Sequence, residues 1–387
     1  MNAAGSRRPR VAVLVHGGVE AAGTGIDIPF LTGLLARAAK EIDLTLFTFH
    51  SARGTVGSPA LSHSRVIFVS DLPVRNPALR YARLFASASA AHRREPFDLF
   101  HGIWGHPGAL AATALGAALR RPVCASFHGA ETANLPAIGY GHFRAPAARA
   151  LLLRCAASSA AVTVLSRQQA GVLESRGIDP SRIHLIPPGV DTEMFSYHES
   201  ARGRGDLSLL HVANITPVKD QYTLIRAYAQ VAAQTQAALR IVGADHLGGR
   251  LQAFADACLP TGRVSFLGHL PHDALPGVYQ SSDIFVQSSL HEAGGVAVAE
   301  AAASGTMIVG TDTGLVRDLH PHAACAVAPG DPGALAEAIL ACAADTTRAQ
   351  GMRRAARAWA ERHSIDAAAT ALLGVYDTAI SQWSSGI

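Results

Sequence analysis

Lysine is almost missing from this chain of 387 residues: of its 33 basic residues, only Lys40 and Lys219 are lysine. In a sequence that draws its cations so heavily from arginine, each retained lysine is a candidate for a place that needs a compact ammonium. Charge as a whole is scarce. Only 16% of residues are charged, the net charge is +4, and the basic residues are scattered instead of gathered into runs. That excludes a disordered or acidic-tail protein and leaves no footprint for a nucleic-acid partner. The five cysteines are odd in number and contain no CxxC pair, so neither a disulfide framework nor a zinc knuckle is indicated, and a reducing cytoplasmic setting is expected. Long hydrophobic runs are lacking too. The stretches 110–119 and 145–165 are short or interrupted by Arg149 and Arg154, and the run 11–15 ends at His16, which excludes a bilayer span and a signal-peptide core.

What the chain has in abundance is apolar residues, at 49%, enough at this length for more than one core. Short aliphatic and β-branched runs at 10–15, 44–49, 65–69, 99–101, 123–127, 161–165 and 184–186 alternate with alanine-rich helical stretches. A second series follows at 208–213, 238–242, 264–267, 284–287, 307–310 and 325–328. Strand and helix in alternation predict parallel sheets covered on both faces, the doubly wound α/β arrangement. Two series predict two Rossmann-like domains, with the seam at Pro187-Pro188-Gly189 and the polar, Gly-rich stretch 200–206, where neither helix nor strand continues. The expected boundaries are 1–190, a linker at 191–206, 207–365, and a last helix in 366–387 that can pack back across the seam.

Two glutamates separated by seven residues, Glu292 and Glu300, carry the strongest chemical signal. Gly294-Gly295 after the strand 284–287 predicts a helix start, where free N–H groups and the helix dipole favour an anion. Glu292 then lies in the loop and Glu300 about a turn and a half inside the helix. Alone, such glutamates read more simply as a solvated pair around an alanine-rich helix.

Further segments change that weighting. Val162-Thr163-Val164-Leu165-Ser166, Ile186-Pro187-Pro188-Gly189-Val190-Asp191 through Phe195, Val212-Ala213-Asn214-Ile215-Thr216-Pro217-Val218-Lys219 and the strand from Val264 to Gly268 occur in the order that, with Glu-x7-Glu, resembles the retaining glycosyltransferases of family 4. The resemblance covers most of the chain. It implies a GT-B fold, two Rossmann-like domains facing across an interdomain cleft, with the acceptor on the N-terminal domain and a nucleotide sugar on the C-terminal one.

It also implies roles for particular residues. Lys219 would neutralise the leaving diphosphate, where charge develops. Glu300 is expected at the ribose and Glu292 at sugar hydroxyls, with Gly294, Gly295 and Val296 presenting the helix start. Gly268, His269 and Leu270 would line the base. Asn214 stands where the family usually has an arginine, and Thr313-Gly314-Leu315-Val316-Arg317 departs from its Gly-Gly-x-x-Glu turn. In the first domain, Gly17, Gly18 and Gly25 belong to a glycine loop that permits close backbone approach, and His128 of His128-Gly129-Ala130-Glu131 is expected to touch the donor sugar.

The string His269, His272 and Asp273 carries metal-ligand types, but Pro271 breaks the spacing and the resembling family needs no divalent ion, so neither metal nor other cofactor is expected. The implied reaction moves a sugar from a UDP-, GDP- or ADP-linked donor to a sugar, lipid-linked or small-molecule acceptor with retention, the diphosphate itself taking the acceptor proton. A nucleotide-sugar epimerase and a non-catalytic binding protein of the same fold are the alternatives. Finally, Tyr81, Leu84, Phe85 and Ala88 fall on one helical stripe flanked by Arg75, Arg80, Arg83, Arg93 and Arg94. Such a stripe either faces the core or touches an anionic membrane.

Overall fold

A computed structural model describes residues 7–17, 28–48, 61–69, 76–197, 206–260 and 262–386. The chain divides into two compact units, one of residues 1–187 with 365–387 and one of residues 188–364.

The first unit is built on seven strands: β1 (Arg10–Val15), β2 (Asp43–Thr48), β3 (Arg65–Phe68), β4 (Leu99–Ile103), β5 (Val123–Phe127), β6 (Ala161–Val164) and β7 (Ile183–Leu185). They form one sheet in the order β3-β2-β1-β4-β5-β6-β7, and all its pairings are parallel. β4 and β5 are buried along their whole length, as expected of central strands covered on both faces, so their polar members His101 and Ser126 must find partners inside. Helices α1 (Pro29–Ala38), α2 (Pro77–Arg94), α3 (Leu110–Leu119), α4 (Pro146–Ser158) and α5 (Arg167–Glu174) complete the crossovers. In α2, Leu84 and Ala88 are buried and Tyr81 packs against the same core, while Leu79 and Phe85 are exposed. The predicted stripe is therefore a core-facing one except at Phe85; Arg75 lies outside the described residues.

The last helix, Ile365–Ser384, belongs to this unit. Asp366 in its first turn accepts from Arg37 Nε at 2.7 Å. Further along, Tyr376 reaches the fully buried His101 of β4, with 2.6 Å between its hydroxyl and Nδ1. His101 Nε2 lies 2.6 Å from Ser126 Oγ on β5, which in turn meets Thr163 on β6. A row of polar groups thus crosses three strands with its partners supplied internally, as burial demands. Burial pushes the His101 pKa down to about 3 and raises that of the Tyr376 hydroxyl, so both are neutral.

The second unit has six strands: β8 (Ser208–Val212), β9 (Ala238–Val242), β10 (Val264–Gly268), β11 (Ile284–Gln287), β12 (Met307–Thr311) and β13 (Cys325–Val327). Their order is β10-β9-β8-β11-β12-β13, again parallel throughout. Its helices are α6 (Gln221–Ala232), α7 (Arg250–Cys258), α8 (Leu275–Gln280), α9 (Val296–Ala303), α10 (Gly314–Leu319), α11 (Pro332–Ala344) and α12 (Thr346–Arg362). Alternate strand residues serve opposite faces: Leu209, Leu239, Ile284 and Met307 enter one apolar cluster, while Leu210, Val242, Phe285 and Ile308 enter another.

Residues 191–197, within the segment expected to be a linker, pack as part of this unit. Asp191 Oδ1 accepts from the N–H groups of Glu193 and Met194, Phe195 is buried, and Arg357 of α12 donates to the Phe195 carbonyl at 2.9 Å. The rest of the expected linker, 198–205, lies outside the described residues. Among the described residues, no helix is long and apolar enough to cross a membrane.

Candidate functional site

In both sheets the strand order reverses direction between the first and fourth strands, at β1/β4 and at β8/β11. Loops leaving the carboxyl ends of such neighbouring strands diverge and open a crevice, the position where open α/β sheets bind ligands.

In the second unit these loops carry Lys219 and Glu292. After β8 the chain makes a turn over Pro217–Lys219, and Asp220, with a left-handed φ of +46°, starts α6. The loop after β11 is tied to it: Leu290 N–H donates to the Val218 carbonyl at 2.8 Å, and Ser288 Oγ donates to the Lys219 carbonyl at 2.8 Å. Lys219 Nζ then stands 2.5 Å from Glu292 Oε1, which also accepts from Ser289 Oγ at 2.7 Å. Burial by itself would raise the Glu292 pKa, but the ammonium and the serine hydroxyl outweigh it and hold the carboxyl below its ordinary value. Beneath the pair, the fully buried His211 donates from Nδ1 to the Val286 carbonyl at 2.8 Å, and its Nε2 accepts from Gln221 Nε2 at 3.2 Å. Its pKa is pushed down to about 4, chiefly by burial, so this floor is uncharged.

Glu300 sits on the buried side of α9. Its Oε1 lies 3.0 Å from His272 Nε2, and its Oε2 accepts from the Tyr279 hydroxyl at 2.9 Å. The His272 ring packs on Phe195, 5.3 Å between centroids. Gly295 opens α9 at a φ of +103°, a conformation that strains any side-chain-bearing residue. Gly294 is buried behind it and accepts at its carbonyl from Leu315 N–H at 2.7 Å, and Val296 is the first helical residue. The degenerate turn at Gly314 thus packs directly against the Glu292 loop: a Cβ on Gly314 would come within 2.8 Å of Glu292 Cβ.

The remaining donor-side candidates are linked through backbone. Asn214 Oδ1 accepts from Ala244 N–H at 3.0 Å, and Gly243 N–H donates to the Gly268 carbonyl at 2.8 Å. The loops after β8, β9 and β10 are thereby joined, with Gly268 and His269 exposed and Leu270 half-buried. Arg317 forks onto Asp312, its Nε at 3.0 Å and Nη2 at 2.6 Å. Among the described residues, no group of three or more histidine, cysteine or acidic side chains is placed to hold a metal ion.

In the first unit, His128 follows β5 and packs on Phe30, 5.9 Å between centroids. Burial pushes its pKa down to about 4. Glu131, buried, accepts from Gly129 N–H at 2.7 Å and from Gly105 N–H at 2.9 Å. This carboxylate clamps the turn after β5 to the turn after β4, although burial raises its pKa against those two bonds. Gly17 is buried at the end of β1, while Gly18 and Gly25 lie outside the described residues.

The structure therefore groups Lys219 with Glu292, and ties Asn214 to Ala244 in the loop after β9, whose Gly243 in turn meets Gly268. It adds His272, Tyr279, Ser289 and Gln221, which sequence reading left without a site role. Ser289 sits three residues before Glu292, a local signal that was open to reading; the contacts of His272 and Tyr279 to Glu300 span 28 and 21 residues.

Residues 198–359 match the family model for glycosyl transferases group 1, and residues 30–194 match that for Glycosyltransferase Family 4. A D-inositol 3-phosphate glycosyltransferase of Xylanimonas cellulosilytica is 28% identical over 96% of this chain and 97% of its own length. A GDP-mannose-dependent alpha-(1-6)-phosphatidylinositol monomannoside mannosyltransferase of Mycobacterium tuberculosis is 27% identical over 61% of this chain and 64% of its own. Among solved structures, sucrose-phosphate synthase of Thermosynechococcus elongatus superposes with a TM-score of 0.80 at 20% identity, covering 97% of this chain and 100% of that one. Anabaena HepE in complex with UDP-glucose superposes with a TM-score of 0.74 at 19% identity, covering 97% and 99%.

Proposed function

Because this chain is a GT-B glycosyltransferase, we propose that it transfers a sugar from a nucleoside diphosphate donor to an acceptor hydroxyl with retention of configuration, in the assembly of a glycoconjugate. The observation that carries the reading is the meeting of Lys219 and Glu292 at the β8/β11 switch point, beside the start of α9.

An ammonium and a set of free helix N–H groups at one crevice suit the charge that builds on a departing diphosphate. In this reading Lys219 stabilises the leaving group and Glu292 orients both Lys219 and the hydroxyls of the transferred sugar. Glu300, steadied by Tyr279 and His272, accepts from the ribose. The loop at Gly268, His269 and Leu270 borders the base. His128, neutral at physiological pH, offers a hydrogen bond to the donor sugar. The leaving oxygen itself takes the acceptor proton, so no side chain is assigned as nucleophile and the cationic work is given to Lys219 without a metal ion.

The similarity to inositol- and phosphatidylinositol-directed enzymes favours a polyhydroxylated ring, free or lipid-linked, as acceptor. A thermal-shift screen against UDP-, GDP- and ADP-sugars identifies the donor, since a ligand that binds only the folded state raises its stability. Transfer to myo-inositol phosphate and to simple glycosides follows with the donor so found. NMR of the first-formed product is expected to show the donor's anomeric configuration, and activity is expected to survive EDTA. Inversion, or loss that Mg²⁺ or Mn²⁺ restores, contradicts the mechanism.

A further inference from the structure

Two of the five cysteines meet each other away from the donor-side loops. Cys325 opens β13, Cys342 lies in the last turn of α11, and their sulfurs are 3.2 Å apart. Both are free thiols. A disulfide needs sulfurs about 2 Å apart, so an approach of roughly one ångström, within the reach of side-chain rotation, separates this pair from a bond.

The pair is asymmetric. β13 is the last strand of its sheet, and Cys325 on it is half-buried, while Cys342 behind it is buried. A hydrogen bond from Cys342 brings the Cys325 pKa down to about 7, against the opposing effect of burial and with help from the Arg348 guanidinium. The same bond pushes the Cys342 thiol up. One sulfur is thus a reachable nucleophile and the other waits beside it as a thiol, the arrangement in which peroxide-sensitive cysteines react. The remaining cysteines differ. Cys258 is exposed and has no second sulfur beside it, and Cys124 and Cys155 are buried in the other unit with thiols raised by burial.

We propose that Cys325 and Cys342 form a peroxide-responsive dithiol that closes to an internal disulfide between β13 and α11. The Cys325 thiolate attacks one oxygen of a hydroperoxide. The O–O bond breaks, the departing hydroxide takes up the proton that left Cys325, and Cys325 becomes a sulfenic acid. Cys342 sulfur then attacks Cys325 sulfur, the S–O bond breaks, and the hydroxide leaves as water with the Cys342 proton. Two thiols are oxidised by two electrons, and hydrogen peroxide is reduced to two waters. The bond cross-links residues 17 apart and restrains the unfolded chain, so the oxidised protein unfolds at a higher temperature.

The test treats the full chain with equimolar hydrogen peroxide, then counts thiols under denaturing conditions and maps peptides by mass. Wild type is expected to fall from five titratable thiols to three, with the peptides bearing Cys325 and Cys342 joined, a raised thermal midpoint, and reversal by dithiothreitol. Cys325→Ser is expected to form no such link. Cys342→Ser is expected to stop at a Cys325 sulfenic acid that dimedone captures, a readout that needs no disulfide. Five thiols retained in wild type, first oxidation at Cys258, or no dimedone adduct on Cys325 in Cys342→Ser would each overturn the proposal.

Discussion

The Nζ of Lys219 and the Oε1 of Glu292, 73 residues apart in sequence, are separated by 2.5 Å in space. The group proposed for the diphosphate and the group proposed for the sugar hydroxyls are therefore one ion pair, and neither can be altered without changing the other. Lys219→Ala removes the charge proposed to stabilise the leaving group and leaves an almost enclosed carboxylate without its cation. Transfer is expected to fall by about 10²–10³, the loss typical of a group that stabilises developing charge. Glu292→Gln keeps a hydrogen-bond acceptor for Lys219 and is expected to lose less. Turnover measured at saturating donor checks both. A Lys219→Ala enzyme within a few-fold of wild type contradicts the assignment.

The role proposed for Glu300 is of a different kind, a ribose contact that would persist from bound donor to transition state. Glu300→Ala is expected to weaken donor binding and leave turnover at saturation nearly intact, the signature of uniform binding. The measurement is donor affinity by calorimetry beside turnover. A turnover loss with unchanged affinity removes Glu300 from the ribose.

How far these roles were legible in sequence depends on how local their causes are. Central strands such as β5 and β11, buried along their whole length, announced themselves as short apolar runs, and the more exposed edge strands such as β3 and β10 as short β-branched or aliphatic ones; 123–127, 238–242 and 284–287 agree to the residue with β5, β9 and β11. The glycines at 294–295 likewise mark a helix start whose cause lies in a few neighbouring residues. The pairing of Lys219 with Glu292 has no local cause. It follows from β8 lying beside β11, and from the bonds that draw residues 218–219 to residues 288–290. The contact of His272 with Glu300 is similar: the sequence shows a histidine in a metal-like string, and only the fold sets its ring on Phe195 and its Nε2 beside a carboxylate that Tyr279 also holds.

Three histidines kept neutral by desolvation contribute to the acid limb of the stability curve. His101, His128 and His211 have pKa values of about 3, 4 and 4 in the folded protein, below their unfolded value of about 6.5. A depressed folded pKa gives stability that is fully present above the unfolded value and is lost as pH falls toward the folded one. Thermal midpoints are therefore expected to drop steadily from about pH 6.5 to pH 4. His211→Asn, which can still donate to the Val286 carbonyl, is expected to flatten that slope. A midpoint that does not change across this range contradicts the neutral assignment.

The bond between Tyr376 and His101 is the polar anchor of the last helix on the first sheet. Tyr376→Phe leaves a fully buried imidazole nitrogen unpaired and is expected to cost about 1–3 kcal/mol. The double variant Tyr376→Phe with His101→Leu removes both polar partners and is expected to cost less than the sum of the singles. Denaturant titration of the four proteins gives the coupling directly. Additivity would show that the bond contributes little.

Asn214 stands where the resembling family carries an arginine, and its side chain is committed: Oδ1 accepts from Ala244 N–H. Asn214→Arg gives up that bond, but the amide released is at an exposed position and water can satisfy it, so the stability loss is expected to stay below about 1 kcal/mol. What it adds is a guanidinium five residues before Lys219, on the same loop. A charged fork to phosphate is roughly twice as strong as a neutral hydrogen bond, so Asn214→Arg is expected to tighten binding of the nucleoside diphosphate. Arg317 is not placed to have filled this role already, because its Nε and Nη2 both meet Asp312. As an exposed pair it contributes little to stability, and Arg317→Ala is expected to change donor affinity less than two-fold. The two substitutions should then be additive in a double-mutant cycle read out by nucleotide affinity. If Arg317→Ala is damaging and Asn214→Arg rescues it, Arg317 leaves Asp312 to meet the phosphate, and the missing cation is supplied from α10.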